Sequence, residues 1–118
     1  MNKVILMGRL AKDPEIKQTS VGKYLVSNIT LAVQNDFPDK DGEYRCQFIQ
    51  CTAFNGLAEF IEKWFKKGKP ILVEGRLDNS SYKDKEGNTR YVSKVIVEKA
   101  NFCLSEPKEE KQTYNRRK

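Results

Sequence analysis

Between Tyr24 and Gln34 the chain alternates, with Leu25, Ile29, Leu31 and Val33 facing one way and Val26, Asn28, Thr30 and Ala32 the other. A period of two marks a half-buried β-strand, because successive side chains of a strand point to opposite faces. A second strand is expected from Arg45 to Phe54, and NDFPDKDGEY between the two, dense in Asp, Pro and Gly, reads as a hairpin tip. Upstream, Lys3 to Ala11 reads as a strand stopped by Asp13-Pro14, and residues 17–23 read as a connecting turn.

After Phe54 the period changes. Leu57, Phe60, Ile61, Trp64 and Phe65 fall at i, i+3, i+4, i+7 and i+8, the stripe of a short amphipathic helix. Asn55 suits its N-cap and Glu59 its first turn; Lys63, Lys66 and Lys67 suit its last turns, with Gly68 ending it. Trp64 lies on the apolar stripe and is expected in the core. From Pro70 the period of two returns, with Ile71, Val73, Gly75 and Leu77 set against Leu72, Glu74, Arg76, Asp78, Ser80 and Tyr82. KDKEGN (residues 83–88) is a second hairpin tip, and Arg90 to Leu104 is the last strand. No internal repeat is visible. Five strands with one helix between the third and fourth is the order of an OB-fold, so an all-β, five-stranded Greek-key barrel is expected over residues 1–104. Residues 105–118 keep no apolar residue beyond Ser105 except Tyr114 and should form a short disordered basic tail.

The third strand carries the chemistry. Its Ile49, Cys51 and Ala53 suit a core, while Cys46, Phe48, Gln50, Thr52 and Phe54 make a polar row with two phenylalanines set into it. Large aromatics along a wet face need a reason. With 22 Lys and Arg against 16 Asp and Glu, the net charge is +6. Flat rings among cationic groups suggest a platform for stacking unpaired bases. Tyr82 falls on the polar face of its own strand as well.

The absence of histidine removes His-based catalysis and the usual zinc sets. Asp36, Asp39, Asp41 and Glu43 have the wrong spacing for an EF-hand and read as a solvated tip. No catalytic residue, metal or cofactor is expected. Cys46, Cys51 and Cys103 form no CxxC pair and read as reduced thiols. The N-terminal apolar run is too short for a signal or a membrane span, so a cytoplasmic protein is expected, in a bacterium or in the host of a phage.

The opening NKVILMGRLAKDPE, the central FIQCTAFNGLAEFIEKWFKKG, the run VEGRL and the hairpin SYKDKEGNTRYVSKVIVE together resemble the bacterial and phage single-stranded DNA-binding proteins, in order, from residue 1 to about 104. The resemblance implies four base-stacking aromatics, Phe37, Phe48, Phe54 and Tyr82. It also implies a non-enzymatic protein that holds single-stranded DNA without sequence preference during replication, recombination or repair, as a homotetramer. Val4 and Leu6, taken as exposed apolar residues, are consistent with such an assembly. Candidate phosphate contacts are Lys3, Arg9, Lys23, Arg45, Arg76, Lys83, Arg90 and Lys94, with Arg9 and Arg76 set apart because they lie on strands rather than tips. Asp78, Asn79, Ser80 and Ser81 stand where the resemblance implies basic residues. The family's acidic, phenylalanine-ended tip is not matched by Asn115-Arg116-Arg117-Lys118, so protein partners through such a tip are not expected. The rivals are an OB-fold replication-restart or RNA-binding module and an OB-fold nuclease.

Overall fold

The computed structural model of the protein describes residues 1–103. Its elements are β1 (Val4–Leu10), β2 (Glu15–Gln18), β3 (Leu25–Gln34), β4 (Cys46–Phe54), α1 (Asn55–Trp64), β5 (Pro70–Lys83) and β6 (Thr89–Phe102). The sheet runs β1-β5-β6-β4-β3-β2, and β1 also pairs with β3, so five strands close into a ring with β2 appended outside. Neighbours are antiparallel except β4 and β6, which run parallel at Cys51–Val95 and Thr52–Ile96. The five expected strands are β1, β3, β4, β5 and β6, and α1 falls where the period changes. β2 is an addition: Lys17 and Gln18, expected in a turn, pair with Val26 and Leu25. The expected tail, 105–118, and Leu104 lie outside the described residues.

Inward rows fill the ring. Ile29 faces Cys51 and Leu31 faces Ile49 across β3 and β4, while α1 presses Ala58 and Ile61 onto them. Each large side chain buried this way contributes about 1.5–3 kcal/mol. β1 crosses β3 closely at Gly8, where an added Cβ would stand 2.5 Å from the Ala32 carbonyl oxygen. The ring can close there only because that side chain is missing.

Several details differ from the reading of the sequence. Along β1, Val4 and Leu6 pack against the core, and Ile5 and Met7 are the exposed pair. The run VILM is apolar on both faces, so alternation alone cannot choose between them. Asn55 is not the N-cap: it is the first helical residue, with φ of 52°, and its side-chain Oδ1 accepts the Leu25 N–H at 3.2 Å. Phe54 occupies the cap position without a side-chain bond, and no acidic residue, Glu59 included, lies in the first turn. At the other end α1 stops at Trp64, so Lys63 alone of the three lysines lies in its last turn. Phe65 swings into extended backbone, its N–H bonded to Ile61 O, and its ring enters the core. Trp64 is left 49% exposed.

The β5–β6 ladder runs from Ile71–Phe102 to Lys83–Thr89, with a register shift at Glu74/Gly75. Val95 and Val97 point inward before the shift, and Ala100 packs against the core beyond it. From Asn79 to Lys83 and from Thr89 to Ser93 every residue is exposed, so the hairpin ends as an arm with two wet faces.

Candidate nucleic-acid interface

Across β3 and β4 the outward pairs are Val26–Phe54, Asn28–Thr52, Thr30–Gln50, Ala32–Phe48 and Gln34–Cys46. Val26 and Ala32 on β3 thus lie directly beside the two rings of β4. Phe48 is 66% exposed and Phe54 36%, the latter leaning on Tyr24 with ring centroids 6.1 Å apart. Between the rings, the Gln50 side-chain carbonyl accepts the Thr30 hydroxyl at 3.3 Å. Thr52, expected on the wet face, is nearly buried, its hydroxyl donating to Asn28 Oδ1 at 3.0 Å.

The register extends these rows to two arginines. Arg9 pairs with Ala32, which pairs with Phe48, so Arg9 stands in the row of that ring. On the far side Thr52 pairs with Ile96 and Ile96 with Arg76. The two strand-borne cations singled out in the sequence therefore flank the aromatic face from both sides. Arg9 Nη1 also donates to Gly68 O at 2.9 Å, which fixes its guanidinium at the barrel rim.

Phe37 and Tyr82 stand off the barrel on the two hairpins. The tips that hold them are the same device, and the repeat escaped the sequence reading. Asp39-Lys40-Asp41-Gly42-Glu43-Tyr44-Arg45 matches Asp84-Lys85-Glu86-Gly87-Asn88-Thr89-Arg90, with the exposed ring two residues before each aspartate. Asp39 Oδ1 accepts the N–H groups of Asp41 and Glu43 at 2.9 and 3.0 Å, and its Oδ2 accepts Arg45 Nε. Asp84 takes the N–H groups of Glu86 and Asn88 at 3.0 and 2.9 Å and Arg90 Nε at 2.9 Å. Gly42 and Gly87 turn the chain with φ of 82° and 85°, backbone that favours glycine. The Glu43 N–H, followed by the Arg45 guanidinium, holds the Asp39 carboxyl below the usual range. For Asp84 the larger cause is Arg90, followed by the Asn88 N–H.

The eight candidate cations divide accordingly. Arg45 and Arg90 are tied to their tip aspartates, and Lys3 Nζ pairs with Glu74 at 3.2 Å. Lys23 sits in the turn before β3, Lys83 ends β5, and Lys94 lies half-buried opposite Asp78. Arg9 and Arg76 are the two on the rows of the face. Among the described residues no group of three or more Cys, Asp or Glu gathers in a way that could hold a metal ion, and no helix is long and apolar enough to cross a membrane.

A family model described as the single-strand binding protein family matches residues 1–103. The chain belongs to that family. The match takes in every element described above, from β1 to β6 and both tips. Within the family, the chain is 36% identical over 108 residues to Single-stranded DNA-binding protein B of Bacillus subtilis, covering 92% of this chain and 95% of that protein. It is 38% identical over 108 residues to Single-stranded DNA-binding protein 2 of Listeria monocytogenes, covering 92% of this chain and 66% of the relative. Against Single-stranded DNA-binding protein 1 of Staphylococcus aureus it is 39% identical over 113 residues, covering 96% of this chain and 70% of the relative. The chain thus spans just under two thirds of the Listeria relative.

Proposed function

We propose that this protein binds single-stranded DNA, without catalysing a reaction, in replication, recombination or repair. The observation that carries the reading is the pair of exposed rings, Phe48 and Phe54, on a polar strand face flanked by Arg9 and Arg76. Bases stack on these rings and on Phe37 and Tyr82, while the arginines neutralise phosphates. Duplex is refused because paired bases hide the surfaces the rings need. Gln50 and Thr30 offer polar edges to any base, which suits binding without sequence preference.

The binding unit in this reading is residues 1–104, acting in the cytoplasm. Copies assemble as a homotetramer, for which the exposed Ile5 on β1 supplies an apolar contact.

Phe48→Ala and Phe54→Ala should each weaken oligo-dT binding by about 1–3 kcal/mol, with the melting temperature held. Affinity should fall with salt at a log–log slope near 0.7 per phosphate contacted. Equal affinity for RNA of the same sequence would favour an RNA-binding module, and metal-dependent cleavage of the strand would favour a nuclease. Native mass measurement gives the assembly directly.

A further inference from the structure

Trp64 is the chain's one tryptophan, and it stands half exposed at the C-terminal end of α1. Its indole meets the half-exposed Phe102 ring edge-on, centroids 6.4 Å apart, and Phe102 lies along Phe65 at 5.1 Å. Cations crowd this cluster. Lys63 Nζ is 5.2 Å from the Trp64 ring centre and Lys69 Nζ is 5.1 Å from that of Phe102, with exposed Lys66 and Lys67 on the turn between. A half-open aromatic with an ammonium beside it offers a base a stacking partner and its phosphate a counter-charge.

The cluster is continuous with the barrel face. A groove of about 670 Å³ begins beside Phe48, at Ala32 and Cys46, passes Arg9 and Pro70, and reaches Cys103, the neighbour of Phe102. Two hydrogen bonds lead from the groove to the cluster: Arg9 Nη1 to Gly68 O at 2.9 Å, and, from the next residue, Lys69 Nζ to Trp64 O at 3.1 Å. Asp36 in the groove, Glu62 on the helix and Asp13, whose Oδ1 accepts the Lys67 N–H at 2.8 Å, are acidic groups along this route, against Arg9 and four lysines. A surface of that sign favours a polyanion. A second copy of this chain, with its net charge of +6, is a poorer occupant.

We infer that a single strand held on Phe48 runs through the Arg9 groove onto the Trp64–Phe102 platform, a fifth stacking station beyond the four on the barrel and its hairpins. The inference rests on the binding reading above. At that station Lys69 is a phosphate contact and Trp64 the base contact.

The test uses the full chain and oligo-dT of increasing length, from about six nucleotides, within the range one OB-fold occupies, to about thirty. Anisotropy of a labelled oligonucleotide reports binding, and emission of the lone tryptophan reports the platform. Long oligonucleotides should quench Trp64 as they saturate the protein. Trp64→Leu and Lys69→Gln should each weaken long oligonucleotides about fivefold or more, with short ones unchanged. Emission unmoved while long oligonucleotides saturate the anisotropy would overturn the inference, as would weakening by both variants equally at every length. If a variant fails to fold, emission of the unaltered chain still decides. Phe48→Ala separates the two levels: if short oligonucleotides bind it as tightly as the unaltered chain, the binding reading itself fails, whatever Trp64 does.

Discussion

Phe37 and Tyr82 each stand two residues before a latched aspartate, yet the chain around them differs. Tyr82 occupies a ladder position on β5, opposite Arg90, so its backbone is held on both sides of the tip. Phe37 precedes Pro38 and lies beyond the last β3–β4 ladder pair, Gln34–Cys46. The chain there is next joined by Asn35 N–H to Arg45 O and Asp39 N–H to Glu43 O, so Phe37 itself is bridged over. Its ring is 80% exposed, against 57% for Tyr82. One turn device thus serves two kinds of ring holder. The latch shapes the tip, and the ladder decides how far the ring is ordered.

That contrast ranks the outcomes of mutation. Tyr82→Ala should cost oligo-dT affinity toward the upper part of about 1–3 kcal/mol, because a ring already ordered loses little on binding. Phe37→Ala should fall at the lower end, since its contact is offset by ordering, and calorimetry on both variants with one oligonucleotide gives the rank. Equal losses would mean that the ladder does not matter. Gly42→Val and Gly87→Val should each destabilise the fold by about 1–2 kcal/mol in denaturant unfolding, since both turns need left-handed backbone. A large difference between them would show that the tips are alike only in outline.

Asp39→Asn and Asp84→Asn keep an acceptor for the backbone N–H groups but release the charge held against Arg45 and Arg90. Stability should barely change, and the salt slope of binding should steepen by up to about 0.7 for each arginine freed to meet a phosphate. The smallest effect is with pH. Both carboxyls are depressed, so what each latch contributes is present in full above the ordinary aspartate range and is lost as pH falls through the lowered values. The Glu43 and Asn88 amide resonances should therefore titrate together, below that range. A midpoint within the ordinary range at either tip would break the equivalence.

Much of this arrangement was legible in the residues. The alternation of β3 and β4 gives the aromatic face directly, because a two-residue period leaves one choice of side once Ile29, Leu31 and Cys51 are inside. Other parts were hidden for physical reasons. β2 has a single apolar residue, Ile16, and exists through its pairing with β3. Trp64 and Phe65 are adjacent on the stripe, and which one enters the core depends on α1 ending between them. The duplicated tips share an aspartate, a lysine, a glycine and an arginine 45 positions apart, too few matches to register as a repeat until their hydrogen bonds coincide. Arg45 and Arg90 looked like any exposed cations, since only geometry shows the carboxylates they face.

Cys46 and Cys51 lie on the same strand with opposite surroundings. Burial pushes the Cys51 thiol up to about 12, so at neutral pH it holds its proton and stays unreactive. Cys46 is exposed on the outward row, paired with Gln34 and two residues from Phe48. The strand therefore carries an accessible thiol on the side where the rings are displayed and a closed one behind it. A thiol-directed dye should mark β4 from its outward side, giving the surface a built-in point of attachment for optical measurement.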